Sequence, residues 1–264
     1  MPLNKPLKKS SLLYLLLISA IVVLQIVLLS RLQLFGDEAF YYLEGQHLAL
    51  SYAELPAFTA WMIRLGTTIF GKHYFAVRSV SFLAYLAIFY CIYLLNDKKN
   101  WLSASSLVFA IPLFMLIAVM ALPDIWLLFF VMWLIYFLKK VLKTNKNSDW
   151  LILGILTALS LNVHVRMWIW LFFAGVSFLF FFRDKKFLKP IALIFIPVTA
   201  IGIIPILLFN SQHDYALFAF QFGHRNPWQF QFSNISFVLS QLLVITPFVL
   251  FVWFKCLTTI KQMM

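Results

Sequence analysis

Two adjacent carboxylates, Asp37 and Glu38, follow the first long apolar run of a chain that has nine acidic residues in all. Carboxylates are costly near membrane hydrocarbon, so a pair at the end of an apolar segment indicates either a capped helix start or an active site. As a helix start, Asp37 is the N-cap and Glu38 is a favourable first-turn charge. A capped carboxylate is also rigid and directed, and we therefore interpret the pair as catalytic.

Asp124 is a third candidate, in the short turn Leu122-Pro123-Asp124 between two apolar runs. A Pro-Asp pair is common in turns, which would explain this residue without any function. Carboxylates on two separate elements are nevertheless what acid–base catalysis on a hydroxyl group requires. The predicted catalytic residues are therefore Asp37, Glu38 and Asp124.

Arginine and histidine side chains form a second set of candidates. Each could be an interfacial anchor whose charged end reaches the lipid headgroups. A guanidinium group, however, recognises phosphate through two parallel hydrogen bonds, so a phosphate-bearing substrate would suit the arginines. The predicted substrate-binding members of this set are Arg78, His164, Arg166, His213, His224 and Arg225.

The elements that must position these residues are membrane spans. The chain has 264 residues, of which 63% are hydrophobic, and a mean hydropathy of +0.92, which excludes a soluble domain. Its net charge of +12 does not indicate nucleic-acid binding, because the basic residues fall in short clusters between apolar runs. Cys91 and Cys256 lie in or at the end of apolar runs without a CxxC spacing, so they predict neither a disulfide nor a metal site.

Runs of sufficient length predict an all-α protein with about eight transmembrane helices in a single domain over residues 1–264. The first run, from Leu12 to Leu29, lacks a cleavage site of small residues and is interpreted as an uncleaved span. Most lysines fall in alternate loops, and this pattern predicts a cytoplasmic N-terminus. The predicted spans are 12–30, 74–95, 102–121, 125–138, 150–162, 167–182, 190–209 and 236–254.

This topology places every candidate site residue on the outer face of the membrane. The outer loops are two large ones at 31–73 and 210–235 and two minimal ones at 122–124 and 162–166. In the second half of the first loop, Phe58, Trp61, Met62, Leu65 and Ile69 recur at helical spacing. We therefore predict an interfacial helix there, with Pro56 in its first turn and Gly71 ending it. The segment from Glu38 to Leu50 is predicted to form a companion helix.

Taken in order along the chain, these motifs resemble the bacterial glycosyltransferases related to protein O-mannosyltransferases and to the aminoarabinose transferase that modifies lipid A. The resemblance covers nearly the whole chain. Its motifs are Asp37 to Tyr42, Gln46 to Leu50, Glu54 with Pro56, Phe70-Gly71, Ala76-Val77-Arg78, Leu122-Pro123-Asp124, Asn210 to Asp214 and Phe218 to Arg225.

The resemblance implies a GT-C fold with an outward cavity and transfer of a sugar from a polyprenyl-phosphate carrier, usually with inversion. The acceptor would be lipid A, another glycan or a protein, and the location would be the bacterial inner membrane. It further implies that Asp37 is the general base or orients the acceptor, that Asp124 lies beside it, and that Glu54 contacts substrate. Cations would stabilise the departing phosphate. No cofactor is required by the motifs, and a divalent metal is left open.

Three departures from the family pattern bear on activity. Leu55-Pro56-Ala57 stands where the family often has a His-Pro-Pro-like step, and 162–166 lacks its Lys-Tyr-like pair. The chain also stops ten residues after the eighth predicted span, so the C-terminal part of the family is expected to be absent. Two alternatives are therefore kept: a non-catalytic or truncated relative that binds lipid-linked sugar, and a transporter of lipid or sugar.

Overall fold

The structure is a computed structural model that describes residues 9–96, 101–109, 111–182, 184–224 and 231–244. Those residues form helices and turns, and the only β-type contact among them is one antiparallel bridge between Ser51 and Pro56. Four helical stretches are long and apolar enough to cross a membrane: Leu12–Arg31, Tyr74–Leu95, Pro123–Thr144 and Lys185–Gln212. The predicted all-α, multi-span class is therefore confirmed, while the count of eight spans stays a prediction.

The first half of the chain consists of two long helices with two shorter ones between them. Helix α1 (Lys9–Arg31) ends where the predicted first outer loop begins, α2 (Gly36–Gln46) and α3 (Phe58–Phe70) lie within that loop, and α4 (Tyr74–Leu95) follows it. Both helices predicted in the loop are thus present. Gly71 ends α3 at φ +90°, a conformation that costs glycine little. Pro56, however, precedes α3 and does not lie in its first turn, because the bridge to Ser51 holds it in the preceding loop.

The predicted span at 102–121 is wrong as a single helix. The chain there forms α5 (Trp101–Phe109) and α6 (Pro112–Ile117), followed by a non-helical stretch up to Leu122. Ile111, directly before Pro112, has an extended backbone, and the proline then starts a new helix at its first position. A proline disfavours helical geometry in the residue before it and has no N–H to continue a helix, so this break follows from one residue.

The second half begins with α7 (Pro123–Thr144), α8 (Asn147–Leu161) and α9 (Val165–Phe181). The last long stretch is segmented into α10 (Leu188–Pro190), a π-helical turn over 191–195, α11 (Ile196–Ile201) and α12 (Ile204–Gln212). It continues through α13 (Ala216–Ala219) and a second π-helical turn, Phe220–His224, and α14 (Phe232–Val244) follows. Residues 245–254 of the eighth predicted span lie outside the described residues.

Helix α4 lies at the centre of the bundle, where it packs against α1, α3 and α7, and α7 packs in turn against α8. Tyr85, Ile88 and Phe130 are fully buried in the main core between these helices. Two glycines allow the closest helix approaches: a Cβ on Gly66 would lie 2.3 Å from the carbonyl oxygen of Ala76, and one on Gly202 would lie 2.4 Å from Ala158. The bundle is therefore tightest at the positions that place α3 on α4 and α11 on α8.

Candidate active site

A buried ion pair between Glu38 and Arg78 organises one end of the bundle, which we call the site end: the end at which α1 finishes and α2 and α7 begin. Arg78 Nε donates to Glu38 Oε1 at 2.7 Å and Nη2 donates to Oε2 at 2.6 Å. The side chains are 2% and 0% exposed. This two-bond arrangement is the strongest geometry that a guanidinium and a carboxylate can form.

The remaining donors of Arg78 fasten the end of α1. Nη1 donates to the carbonyl oxygens of Leu29 at 3.2 Å and Leu32 at 2.9 Å, and Nη2 donates to that of Gln33 at 2.9 Å. An arginine has five N–H donors, and these contacts together with Glu38 use all of them. Arg78 thus has no donor left for a ligand, so this geometry does not support its predicted role in binding a phosphate.

Glu38 is equally saturated. Its Oε1 also accepts from the backbone N–H of Ala121 at 2.8 Å, and its Oε2 accepts from that of Phe35 at 2.9 Å. Burial alone would raise the pKa of Glu38, but the bonds from Arg78, Phe35 and Ala121 and the Arg78 charge together lower it below its usual value. A buried, fully bonded carboxylate with a lowered pKa is a poor proton acceptor, so this geometry does not support the predicted catalytic role of Glu38. Glu38 instead joins α2, α4 and the turn that leads into α7.

Asp37 has the opposite environment from its neighbour. It is the second residue of α2, its side chain is exposed, and it makes no hydrogen bond to the described part of the chain. The prediction that Asp37 caps the helix is wrong, because the N-cap is Phe35 and it is Glu38 that accepts from the Phe35 N–H. Asp37 is therefore a carboxylate without a partner among the described residues, and the buried pair next to it fixes its backbone.

Asp124 lies at the same end of the bundle. It occupies the first turn of α7, three residues after Ala121, whose N–H is bonded to Glu38. Arg166 Nη1, from the first turn of α9, donates to Asp124 Oδ1 at 3.1 Å. The Asp124 side chain is 40% exposed and the Arg166 side chain is 58% exposed. The structure therefore brings Asp124 and Arg166 together, and the buried pair fixes both the start of α2 and the approach to α7.

The two described histidines of the candidate set have local structural partners. His164 is buried and caps α9, since its Nδ1 accepts from the Arg166 N–H at 3.1 Å. His213 is exposed, stacks on Phe209 with ring centroids 4.3 Å apart, and lies with Nδ1 2.9 Å from the Phe209 carbonyl oxygen. His164 thereby orients the first turn that carries Arg166. Arg225 and the side chain of His224 lie outside what the structure describes, so their predicted roles remain predictions.

Glu54 lies in the loop between α2 and α3, close to a second acidic residue that the sequence did not single out, Glu44. The backbone carbonyl oxygen of Glu54 accepts a hydrogen bond from Gln221, and this bond connects the first predicted outer loop to the later one. Burial, followed by the charge of Glu54, raises the pKa of Glu44 to about 8, and Glu44 Oε1 is buried without a partner in the described chain. Only the fold could reveal this proximity, because ten residues separate the two acids in sequence.

Among the described residues, no group of three or more His, Cys, Asp or Glu side chains is placed to hold a metal ion. Within the described ranges, the site end presents the exposed carboxylate of Asp37, which has no partner there, and the exposed carboxylate–guanidinium pair of Asp124 and Arg166. These three residues are among those selected from the sequence, and their roles stay predictions. Glu38 and Arg78 were also selected, but their pairing across 40 positions carries no local sequence signal.

Comparisons with known proteins place this chain in a family. No curated protein sequence matched the chain. Among solved structures, that of ArnT from Cupriavidus metallidurans in the apo state matches with a TM-score of 0.65 at 14% identity, over 84% of this chain and 46% of ArnT. The chain thus spans about half the length of that protein, and the match confirms the expected GT-C fold. The family model for dolichyl-phosphate-mannose-protein mannosyltransferases matches residues 54–209, more than half of the sequence, and this multi-span membrane protein therefore belongs to that family.

Proposed function

We propose that this protein is a glycosyltransferase that moves a sugar from a polyprenyl-phosphate carrier to an envelope acceptor, either a lipid, a glycan or a protein, at the outer face of the bacterial cytoplasmic membrane. The observation that carries the proposal is the state of Asp37. It is exposed and unpaired in the described chain, beside a buried ion pair that fixes its backbone. An exposed carboxylate without a partner in the described chain is free to accept a proton from an acceptor hydroxyl group.

Asp37 is assigned the role of general base. The acceptor oxygen forms a bond to the anomeric carbon of the sugar, the bond between that carbon and the phosphate oxygen breaks, and the acceptor proton passes to Asp37. Attack from the face opposite the phosphate inverts the configuration. A positioned general base typically contributes about 10²-fold to 10⁴-fold in rate, which sets the size of effect expected from its removal.

Arg166 is assigned to the departing phosphate. In the described structure only one of its five donors is used, by Asp124, and more than half of its side chain is exposed. A guanidinium can therefore approach the phosphate oxygens and stabilise the charge that develops on them. Arg225, His224, His213 and Glu54 remain proposed substrate contacts on the sequence alone.

The surroundings of Arg166 suit a lipid carrier. A groove of about 500 Å³ runs along α9 and is lined almost entirely by apolar side chains. Its α9 side begins with Trp168, two residues after Arg166, and continues through Leu171, Gly175 and Phe178 at helical spacing. An isoprenoid chain fits in this groove with its phosphate at Arg166. The phosphate of such a lipid adjoins its apolar chain, just as Arg166 adjoins the apolar groove.

The test is transfer from a polyprenyl-phosphate-linked radiolabelled sugar, with purified protein and envelope membranes from cells that lack this gene as the acceptor source. Wild-type protein should move label into the envelope fraction, and Asp37→Asn should reduce the rate by about 10²-fold to 10⁴-fold while the protein remains folded. The matched control is Asp184→Asn, which neutralises another exposed carboxylate on the opposite, predicted cytoplasmic side. Equal rates for wild type and Asp37→Asn would refute the assignment.

A second candidate function is binding of the lipid-linked sugar without transfer. It is favoured by one observation, namely that Glu38 and Arg78, both selected from the sequence as site residues, use their hydrogen-bonding groups within the fold. The same experiment separates the two functions: a non-catalytic binder would retain the labelled carrier lipid and transfer none of its sugar.

A further inference from the structure

The site end holds two arginine–carboxylate pairs that differ in every respect that governs their strength. Glu38 and Arg78 share two hydrogen bonds of 2.6–2.7 Å, are at most 2% exposed and have no unused hydrogen-bonding groups. Asp124 and Arg166 share one hydrogen bond of 3.1 Å and are 40% and 58% exposed. The first pair is a fixed part of the fold, whereas the second is built so that it can open.

The weak pair has both the energetics and the free groups that a change of partner requires. Exposed ion pairs of this kind contribute little, because water screens the charges and two long side chains must be ordered. In the described structure, four donors of Arg166 have no acceptor, and Oδ2 of Asp124 has no donor. The His164 cap keeps the first turn of α9 in place, so Arg166 can rotate without moving its helix.

We propose that Arg166 exchanges partners: it pairs with Asp124 in the free protein and leaves it for the phosphate of the lipid carrier when that carrier binds. A phosphate offers several oxygens and more charge than one carboxylate oxygen, so it competes well for the guanidinium. This inference rests on the proposed function, since it takes the carrier phosphate as the ligand of Arg166.

The exchange makes Arg166 a positioning residue for Asp124 as well as a ligand of the phosphate. Before the carrier binds, the Asp124 carboxylate is paired with the Arg166 guanidinium at the start of α9. After the carrier binds, Asp124 is an unpaired carboxylate on the element that Glu38 fastens to α2 through Ala121. Carrier binding would therefore prepare the second carboxylate of the site, and an unloaded site would be incomplete.

The inference is tested by the sign of one change in affinity. Undecaprenyl phosphate is titrated into the full chain in detergent, and binding is followed by intrinsic tryptophan fluorescence. If Asp124 competes with the phosphate for Arg166, Asp124→Asn should tighten binding. An exposed pair leaves Arg166 free only part of the time, and releasing it should improve the apparent Kd by about two- to sixfold. If Asp124 instead holds Arg166 in place for the phosphate, the same variant should bind more weakly.

Three controls isolate the pair. Arg166→Ala should weaken binding, and adding Asp124→Asn to it should give no further tightening of that size. Asp184→Asn removes the acid of another exposed pair, with Lys186, and should leave affinity unchanged. Undecaprenol, which lacks the phosphate, should show no response to Asp124→Asn. Should Asp124→Asn fail to fold, Asp124→Ser removes the same charge with a smaller side chain at the second position of α7.

The outcomes separate the exchange from the function on which it rests. Weaker or unchanged binding by a folded Asp124→Asn protein overturns the exchange and leaves the transferase proposal intact. Failure of wild type to bind undecaprenyl phosphate overturns both. Tighter binding combined with slower sugar transfer is the result that the exchange predicts, and a purely structural role for Asp124 would not produce it.

Discussion

The buried pair of Glu38 and Arg78 allows the sharpest prediction about stability. In Glu38→Gln the side chain keeps its shape, but one oxygen becomes an NH₂ group. That group would face N–H donors on its side of the carboxylate, either Arg78 Nη2 and Phe35 N or Arg78 Nε and Ala121 N. Two of the four hydrogen bonds would be lost, and Arg78 would remain charged and buried without its anion. Removing one partner of a buried pair costs about 3–5 kcal/mol.

The assay is unfolding of the purified protein in detergent, followed by circular dichroism against temperature or denaturant. Asp37→Asn is the matched control, since it makes the neighbouring acid-to-amide change on an exposed side chain and should be nearly neutral. A double variant, Glu38→Gln with Arg78→Met, should cost less than the sum of the single changes, because the second removes the charge that the first leaves unpaired. An unchanged unfolding midpoint for Glu38→Gln would refute the reasoning that Glu38 holds the site end together.

The free energy of unfolding should also depend on pH through the Glu38 carboxylate. The pKa of Glu38 is lowered in the folded protein, so its contribution is present above its unfolded value of 4.5 and is lost as pH falls through the folded pKa. Glu38→Gln should therefore lose less stability than wild type as the pH is lowered below 4.5 and through the folded pKa of Glu38. An identical loss in the two proteins would show that other groups control the acid unfolding.

Two other predictions follow from the first predicted outer loop. The pKa of Glu44 is raised to about 8, so its contribution to stability is present below about pH 4.5 and is lost as pH rises towards 8. Glu44→Gln should flatten the stability profile over that interval, and a profile that keeps its slope would assign the slope to another group. For topology, Leu48→Cys and Ser148→Cys are both at exposed positions; in a background without Cys91 and Cys256, an impermeant thiol reagent should label only the first in intact cells. Labelling of only Ser148→Cys would show that the orientation is the reverse and that the site faces the cytoplasm.

The sequence by itself determined the class of protein and the elements that carry the site. Apolar runs long enough for the bilayer require helices, because backbone groups in hydrocarbon must be bonded within the segment. Helical spacing from Phe58 to Ile69 and the stop at Gly71 predicted α3, and both are present. These features could be predicted because they depend on neighbours within a few residues. Asp37, Asp124 and Arg166 could also be selected as candidates, because charged residues are conspicuous in so apolar a chain.

Tertiary structure decided what each of these charges does. Asp37 and Glu38 are adjacent and chemically alike, yet one is exposed and unpaired while the other is buried under four hydrogen bonds. The difference arises because successive residues in a helical first turn point about 100° apart, so that only Glu38 faces α4. Arg78, predicted to bind phosphate, is buried instead, because it donates to Glu38 and to three carbonyl groups at the end of α1. Pairings across 40 or more positions depend on how the helices pack, and a single sequence holds no periodic signal for them.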